Sequence, residues 1–215
     1  MRLVLLRHGR TAWNAQRRFQ GQADPELDEV GRAQAYEVAP LIAALRPGML
    51  VSSDAARAMQ TAEIVGAAAA LPVIPDARFR ERGLGHWEGL TRDEVQARYP
   101  DEYAEWMSGQ DVNERGGETR EQVAARAAQA FGELPSVPVT VVVTHSATAM
   151  ALTNALLGIE QSRHPLGPLA NCHWSELVVD RLGWRLRAHN LGVPGTVLPV
   201  PVHAPAAEDA ADAEA

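Results

Sequence analysis

The chain contains no lysine: all 20 of its basic side chains are arginines. A lysine nucleophile, a lysine Schiff base and a P-loop lysine are therefore excluded. Cysteine occurs once, at Cys172, so neither an internal disulfide nor a cysteine-rich zinc site can form. Long apolar runs are also missing. The opening run through Leu6 is closed by Arg7 and is too short for the apolar region of a signal sequence, and nothing approaches membrane-spanning length. A cytoplasmic, soluble protein with no membrane partner is the expectation. Net basic charge is absent too. The formal charge is −7, and Glu208, Asp209, Asp212 and Glu214 account for four of those units, leaving −3 for the body. That balance does not suit a general nucleic-acid binder.

What is present suits one globular domain. The chain has 215 residues, of which 46% are hydrophobic, and a typical domain holds roughly 150. The expected domain runs over 1–193; residues 194–215 are rich in proline and alanine, then acidic, and read as a disordered tail.

A short apolar strand ends abruptly in Arg7-His8-Gly9. A polar loop follows, and Asp28 caps a helix whose apolar positions Val30, Ala33, Ala35, Val38, Leu41, Ile42 and Leu45 keep helical spacing until Pro47-Gly48. A second strand, 49–51, ends in Ser52-Ser53-Asp54, which supplies a cap for a helix over 55–69; a third strand spans 71–74. Residues 76–90 fit neither period and read as a shaped, glycine-rich loop around Glu81. Thr91 to Glu94 and Thr119 to Gln122 match capping boxes, and Pro100 suits a first helical position. The β-branched run 139–144 ends in a second histidine, His145, ahead of a helix from Ser146; 174–179 and 184–188 read as a hairpin. Strands alternating with helices predict an α/β protein, a three-layer α/β/α sandwich on a mainly parallel sheet with the hairpin near an edge.

In such sheets ligands bind at the carboxyl ends of the strands. Two strands ending in His8 and His145 can bring two imidazoles into one crevice. Arg7 and Arg57 can add planar donors matched to phosphate oxygens, and the helix from Ser146 can point backbone N–H groups there. The pocket suits a phosphoryl dianion neutralised by side chains. His8 would attack phosphorus as a neutral imidazole, and Glu81 would protonate the leaving alkoxide and then activate water. Two histidines could instead hold zinc, but no HExxH-like spacing accompanies them. Neither a metal nor another cofactor is expected.

Arg7-His8-Gly9-x-Thr11-x-x-Asn14, Gly21, Ser52-Ser53-Asp54-x-x-Arg57-Ala58-x-x-Thr61-Ala62, Glu81, Gly85-x-Trp87-Glu88-Gly89, Gly116-Gly117-Glu118-Thr119 and His145 resemble, in order, the histidine phosphatase superfamily, the phosphoglycerate mutase-like proteins. The resemblance runs from about Leu3 to Asn190. It implies that His8 is the phosphorylated nucleophile, that Arg7, Asn14, Arg57 and His145 bind the phosphoryl group, and that Glu81 donates the proton. It implies shaping roles for Thr11 and 116–119, and a homodimer, since dimers are common in the family. Two positions depart from the pattern. Ser146 stands where glycine is usual, and its backbone N–H can still bind phosphate. Arg10 stands where Glu or Gln is common. Its side chain is either solvated or a clamp for a second anion such as a substrate carboxylate.

Arg17 and Gln22 replace mutase-type Asn and Trp, and the span from Glu81 to His145 is too short for the mutases' extra helical insertion, so the resemblance favours phosphatase over mutase. The expected partner is a small phosphate ester. The pattern Gln20-Gly21-Gln22-x-Asp24-x-x-Leu27 is similar to actinobacterial glucosyl-3-phosphoglycerate phosphatases. Broad-specificity sugar phosphatases, α-ribazole phosphatases and a non-catalytic phosphate-binding protein stay open as alternatives. Trp87 and the 99–107 segment are expected to help decide specificity.

Overall fold

A computed structural model describes residues 1–163 and 165–193; the expected tail lies outside them. The described residues form a six-stranded sheet, in the order β3-β2-β4-β1-β5-β6. Its strands are β1 (Arg2–Arg7), β2 (Met49–Ser52), β3 (Val73–Pro75), β4 (Val139–Thr144), β5 (Trp174–Asp180) and β6 (Gly183–Leu191). β1 to β4 are parallel neighbours, and β5 and β6 form the antiparallel hairpin at one edge. This is the expected architecture.

The sheet is covered on both faces because its central strands are apolar on both. Val4, Leu6, Val141 and Val143 face one core with α2 (Glu29–Ala44) and α3 (Ala56–Ala69); Leu3, Leu5 and Val142 face another with α6 (Arg120–Gly132) and α7 (Ser146–Leu157). Each fully buried aliphatic side chain contributes about 1.5–3 kcal/mol relative to exposure, so the apolar runs of β1 and β4 fix this pair at the sheet's centre. Their register sets Arg7 opposite Thr144. The next residue of each strand is a histidine, and so both histidines leave the sheet at one level.

Three sequence expectations shift. In α2 the buried face begins at Gly31, not Val30, which is 43% exposed. A Cβ on Gly31 would meet the Arg10 carbonyl oxygen at 1.9 Å, and one on Gly9 would meet the Gly31 carbonyl oxygen at 2.4 Å. Backbone-to-backbone contact between the helix and the turn after His8 decides which face turns inward. In α3 the N-cap is Ala55, which has no side-chain hydrogen bond. The cap comes instead from Asp24 in the preceding polar loop, whose carboxylate accepts from Ala56 N at 2.7 Å, while Asp54 is turned away into a two-pronged pair with Arg80. β3 starts two residues late because Ala70, at φ +54°, delays the chain's return; Pro75 is tolerated because the strand is an edge.

The 76–90 loop contains two short 3₁₀ turns, 77–79 and 85–87. Both expected capping boxes form, at the starts of α4 (Arg92–Arg98) and α6, and Pro100 opens α5 (Pro100–Met107). A short α1 (Ala12–Ala15), absent from the expectations, carries a third box between Thr11 and Asn14. Trp87, Val95 and Val112, packed with Phe19, Tyr99, Tyr103 and Trp106, make a small separate core beside the carboxyl ends of the strands.

Gly31→Ala should lower the urea midpoint by the equivalent of about 1–3 kcal/mol, as overpacking does. It should also cost phosphate-ester turnover, because the contact it breaks holds the turn that carries His8. An unchanged midpoint would show that this contact does not set the packing.

Candidate active site

The register of β1 and β4 puts the two imidazoles 5.1 Å apart, centroid to centroid, with planes tilted by 59°. His8 is 2% exposed and His145 fully buried. His8 Nδ1 lies 2.7 Å from the Gly9 carbonyl oxygen. A carbonyl can only accept, so Nδ1 carries the proton and Nε2 keeps its lone pair. Burial, then the charges of Arg57 and Arg7, push the His8 pKa well below the ordinary imidazole value. His8 is held neutral.

His145 is depressed in the same way, by burial first and then by Arg57, His8 and Arg7. Its Nε2 lies 2.9 Å from Ser53 Oγ. That hydroxyl accepts from Ala55 N at 3.3 Å, and among the described residues its own proton has no other acceptor within reach. Ser53 therefore donates to Nε2, which assigns the second proton of the pair to Nδ1. Among the described residues, Nδ1 has no partner.

Two guanidiniums complete the cluster. Arg57 is 1% exposed rather than on the helix surface. Its terminal nitrogens donate to the Ala23 and Gly21 carbonyls at 2.6 and 2.9 Å, and Asp24 stands 3.9 Å away. Arg7 donates to the Leu169 carbonyl. Burial lowers both arginine pKa values, the nearby Glu81 charge opposing it. The Nε atoms of Arg7 and Arg57, like His145 Nδ1, are buried without an acceptor among the described residues. Buried donors are normally satisfied, and each orphan costs about 1–3 kcal/mol. Donors without acceptors around one neutral imidazole form the arrangement that a phosphoryl dianion satisfies.

Asn14 joins this group with its orientation fixed. Its Oδ1 accepts from Thr11 N at 3.1 Å, Thr11 Oγ1 at 3.2 Å and Asn171 Nδ2 at 3.2 Å, leaving its amide protons to face outward from that network. Asn171 Nδ2 also reaches the His8 carbonyl at 3.1 Å. Cys172, at φ +54°, donates its backbone N–H to the Arg7 and His8 carbonyls. Its thiol is pushed up to about 12 by burial, so it stays protonated.

Glu81 sits at the start of α7. Its carboxylate accepts from Arg82 N at 2.9 Å, Thr148 N at 3.2 Å and Ala147 N at 3.3 Å. This amends one expectation: those α7 N–H groups hold the acid, not the phosphate. Ser146 N–H does not bond Glu81, and Ser146 Oγ accepts from Leu169 N. Arg126 NH2 supports the Glu81 carbonyl at 3.0 Å.

Gln20 is 9% exposed, with its Oε1 buried and unpartnered among the described residues. Gly21 adopts φ +52°, and any Cβ there would run into Glu88 Oε1 at 2.1 Å. Gln22 Nε2 bridges Glu118 Oε2 at 3.1 Å and the Glu81 carbonyl at 3.3 Å. Arg10 Nε is bound to Asp28 Oδ2 at 2.9 Å, so that edge of the guanidinium braces the cap of α2, while its terminal nitrogens have no partner among the described residues. One specificity candidate is corrected. Trp87 is fully buried, with Nε1 donating to Glu102 at 2.7 Å and its ring packed on Phe19 and Trp106, so it builds the small core and lines no pocket.

Sequence reasoning assigned no role to Ser53, Asn171, Glu88 or Arg126. Ser53 and Glu88 lie inside the motif runs quoted above, which is the available signal. Glu88 accepts from Gln22 N, Ala23 N and Leu84 N, and so holds the loop whose carbonyls grip Arg57. Arg126 carried no signal, because its partners, the Arg78 and Glu81 carbonyls, are distant in sequence.

Fold and site together define a phosphoryl-transfer protein built on a histidine pair at the carboxyl ends of parallel strands. Residues 3–192 match the histidine phosphatase superfamily (branch 1), and the chain belongs to it. It is 39% identical over 187 residues to a glucosyl-3-phosphoglycerate phosphatase of Mycolicibacterium vanbaalenii, spanning 82% of this chain and 83% of that one. It is 37% identical over 210 residues to the protein of the same name in Mycobacterium tuberculosis, spanning 88% and 94%. The structure of a mycobacterial glucosyl-3-phosphoglycerate phosphatase with VO3 superposes with a TM-score of 0.81 at 37% identity, over 88% of this chain and 98% of that one.

Two outcomes follow from this geometry. Ser53→Ala frees His145 to take the other tautomer, and should lower kcat/KM by about 5- to 150-fold, the range for one unsatisfied buried polar group; unchanged kinetics would show that Ser53 does not orient His145. Separately, an unfolded chain's imidazoles take up protons near pH 6.5 while His8 and His145 in the folded state resist. The folded state then binds fewer protons, so stability falls as pH drops through about 6.5, by up to about 1.4 kcal/mol per pH unit for each histidine. Urea titrations between about pH 7 and about pH 5.5 should show this fall, and a flat profile over that window would contradict the buried neutral pair.

Proposed function

We propose that the chain is a metal-independent phosphomonoester hydrolase working through a phosphohistidine on His8, with a glycosylated phosphoglycerate, or a closely related phosphorylated sugar or glycerate, as substrate. The observation that carries the chemistry is the His8 tautomer. Nδ1–H is committed to the Gly9 carbonyl, so the nucleophilic lone pair sits on Nε2, beside His145 and in the field of Arg57 and Arg7. What supports the substrate is likeness to the mycobacterial phosphatases and the resemblance of the Gln20-Gly21-Gln22 pattern to theirs.

In the first step Nε2 forms a bond to phosphorus while the bond to the ester oxygen breaks. The Arg7 and Arg57 guanidiniums, Asn14 and His145 Nδ1–H stabilise the charge on the phosphoryl oxygens. Glu81 gives its proton to the departing alkoxide. In the second step the Glu81 carboxylate takes a proton from water, which attacks phosphorus, and the electron pair of the P–N bond returns to His8. Positioning by the β1–β4 register and by Asn171 makes both steps in-line displacements at a fixed imidazole.

A His8→Ala variant should lose p-nitrophenyl phosphate hydrolysis and form no acid-labile phosphoenzyme, while EDTA should leave the wild-type rate unchanged. EDTA-sensitive turnover, or a phosphoenzyme that survives the substitution, would overturn the mechanism. In a panel of phosphate esters, glucosyl-3-phosphoglycerate should give the highest kcat/KM. Bisphosphoglycerate-dependent interconversion of phosphoglycerates would indicate a mutase instead.

A further inference from the structure

Beside the phosphate pocket runs a groove of about 670 Å³, within the range of small-molecule sites (roughly 300–1,000 Å³). It is lined by Gln22, Glu88, Glu118 and Gln122 and by backbone at glycines including Gly83 and Gly116. It begins where the catalytic loop ends, since Gln22 Nε2 bonds the carbonyl of Glu81. No arginine lines it, in contrast to the pocket around His8.

The free valences along this wall have one character. Glu118 Oε1 accepts a single bond, from Arg126, and Glu88 Oε2 a single one, from Ala23 N. Gln22 Oε1 is uncommitted among the described residues. Gln122 spends its Oε1 on the cap of α6 and keeps its Nε2 donor. Two carboxylates repel an anion. Acceptors interspersed with an amide donor match hydroxyl groups, which both give and take hydrogen bonds.

Gly83 supplies a second, independent observation. Gly85 and Gly117 are required by their surroundings, because a Cβ would meet backbone oxygen at 1.8 and 2.3 Å. Gly83 is not. Its φ is ordinary, and a Cβ would make van der Waals contact at 3.6 Å with Gln22 and Glu118. Neither conformation nor packing explains a glycine there. A methyl group at that position would, however, occupy the groove.

Building on the phosphatase reading, we infer that this groove is the subsite for a neutral, polyhydroxylated part of the leaving group, such as a glycosyl unit. The ester oxygen stays at Glu81, and the hydroxyl-bearing portion extends past Gln22 toward Glu118 and Gln122.

Three probes separate this from the chemistry: p-nitrophenyl phosphate, 3-phosphoglycerate and glucosyl-3-phosphoglycerate. Gly83→Val fills the groove, and Gln122→Glu keeps the α6 capping box while removing the free donor. Each should raise KM for the glucosylated ester about tenfold, the scale of a single pocket contact, with the other two esters within about twofold. A wild type that hydrolyses p-nitrophenyl phosphate but shows no preference for the glucosylated ester over the plain one overturns the groove assignment and leaves the phosphatase intact. Failure on p-nitrophenyl phosphate overturns the phosphatase reading itself, and the subsite with it. If Gly83→Val weakens all three esters alike, Gln122→Glu decides: selective weakening supports the subsite, and unchanged kinetics refute it.

Discussion

The structure turns on a charge problem: a neutral imidazole must be kept nucleophilic between two buried guanidiniums. Arg7 and Arg57 depress both histidines, and burial depresses all four groups. Charges this buried are costly unless hydrogen-bonded. The solution is to spend part of each guanidinium on carbonyl oxygens. Gly21 and Ala23 take the terminal nitrogens of Arg57, and Leu169 takes Arg7. Carbonyls satisfy donors without cancelling charge, so the positive field survives for an incoming dianion.

That solution passes the demand outward to the loops that own the carbonyls. The 20–24 loop is held by Glu88 through the Gln22 and Ala23 N–H groups, and its Asp24 in turn caps α3, the helix carrying Arg57. Glu88 follows Trp87, whose burial anchors the small third core. Glu118 gathers Gln22, Gly83 N and Arg126, and Arg126 closes on the Arg78 and Glu81 carbonyls. The Glu81 segment and the cation thus belong to one hydrogen-bonded frame. The packing of a tryptophan well removed in sequence from His8 bears on where Arg57 sits.

How much of this could be read beforehand depended on whether a residue acts through its neighbours in sequence. Strand ends, capping boxes and the hairpin are local, and His8, Arg57 and His145 are legible because each stands at the end or beginning of such an element, while Glu81 stands out as the carboxylate of a glycine-rich loop that fits neither period. The contact of Arg10 with Asp28 is not visible in the sequence because it forms only when α2 folds back on the turn, and Trp87 is misleading because a motif aromatic looks alike whether it lines a pocket or fills a core. The cap of α3 was assigned to nearby residues when Asp24, thirty-two positions away from Ala56, supplies it. Gly31 was invisible, since a glycine inside a helix shows no reason for itself until another backbone is found against it.

The absence of lysine acquires a physical reading at this site, whatever sets it across the chain. Arg57 works because a guanidinium has two edges: its terminal nitrogens are fixed by Gly21 and Ala23 while Nε remains available on the same rigid plane. An ammonium group on a flexible stem has no such division; held by two carbonyls, it would retain one rotatable donor and a less certain position. The fork allows one cation to be both anchored and receptive, as a buried phosphoryl site demands. The groove beyond Gln22, lined by Glu88 and Glu118, has the complementary character, acceptors without cations. The boundary between these two linings falls at the Glu81 backbone, the point at which a phosphate ester's charged and neutral halves would separate.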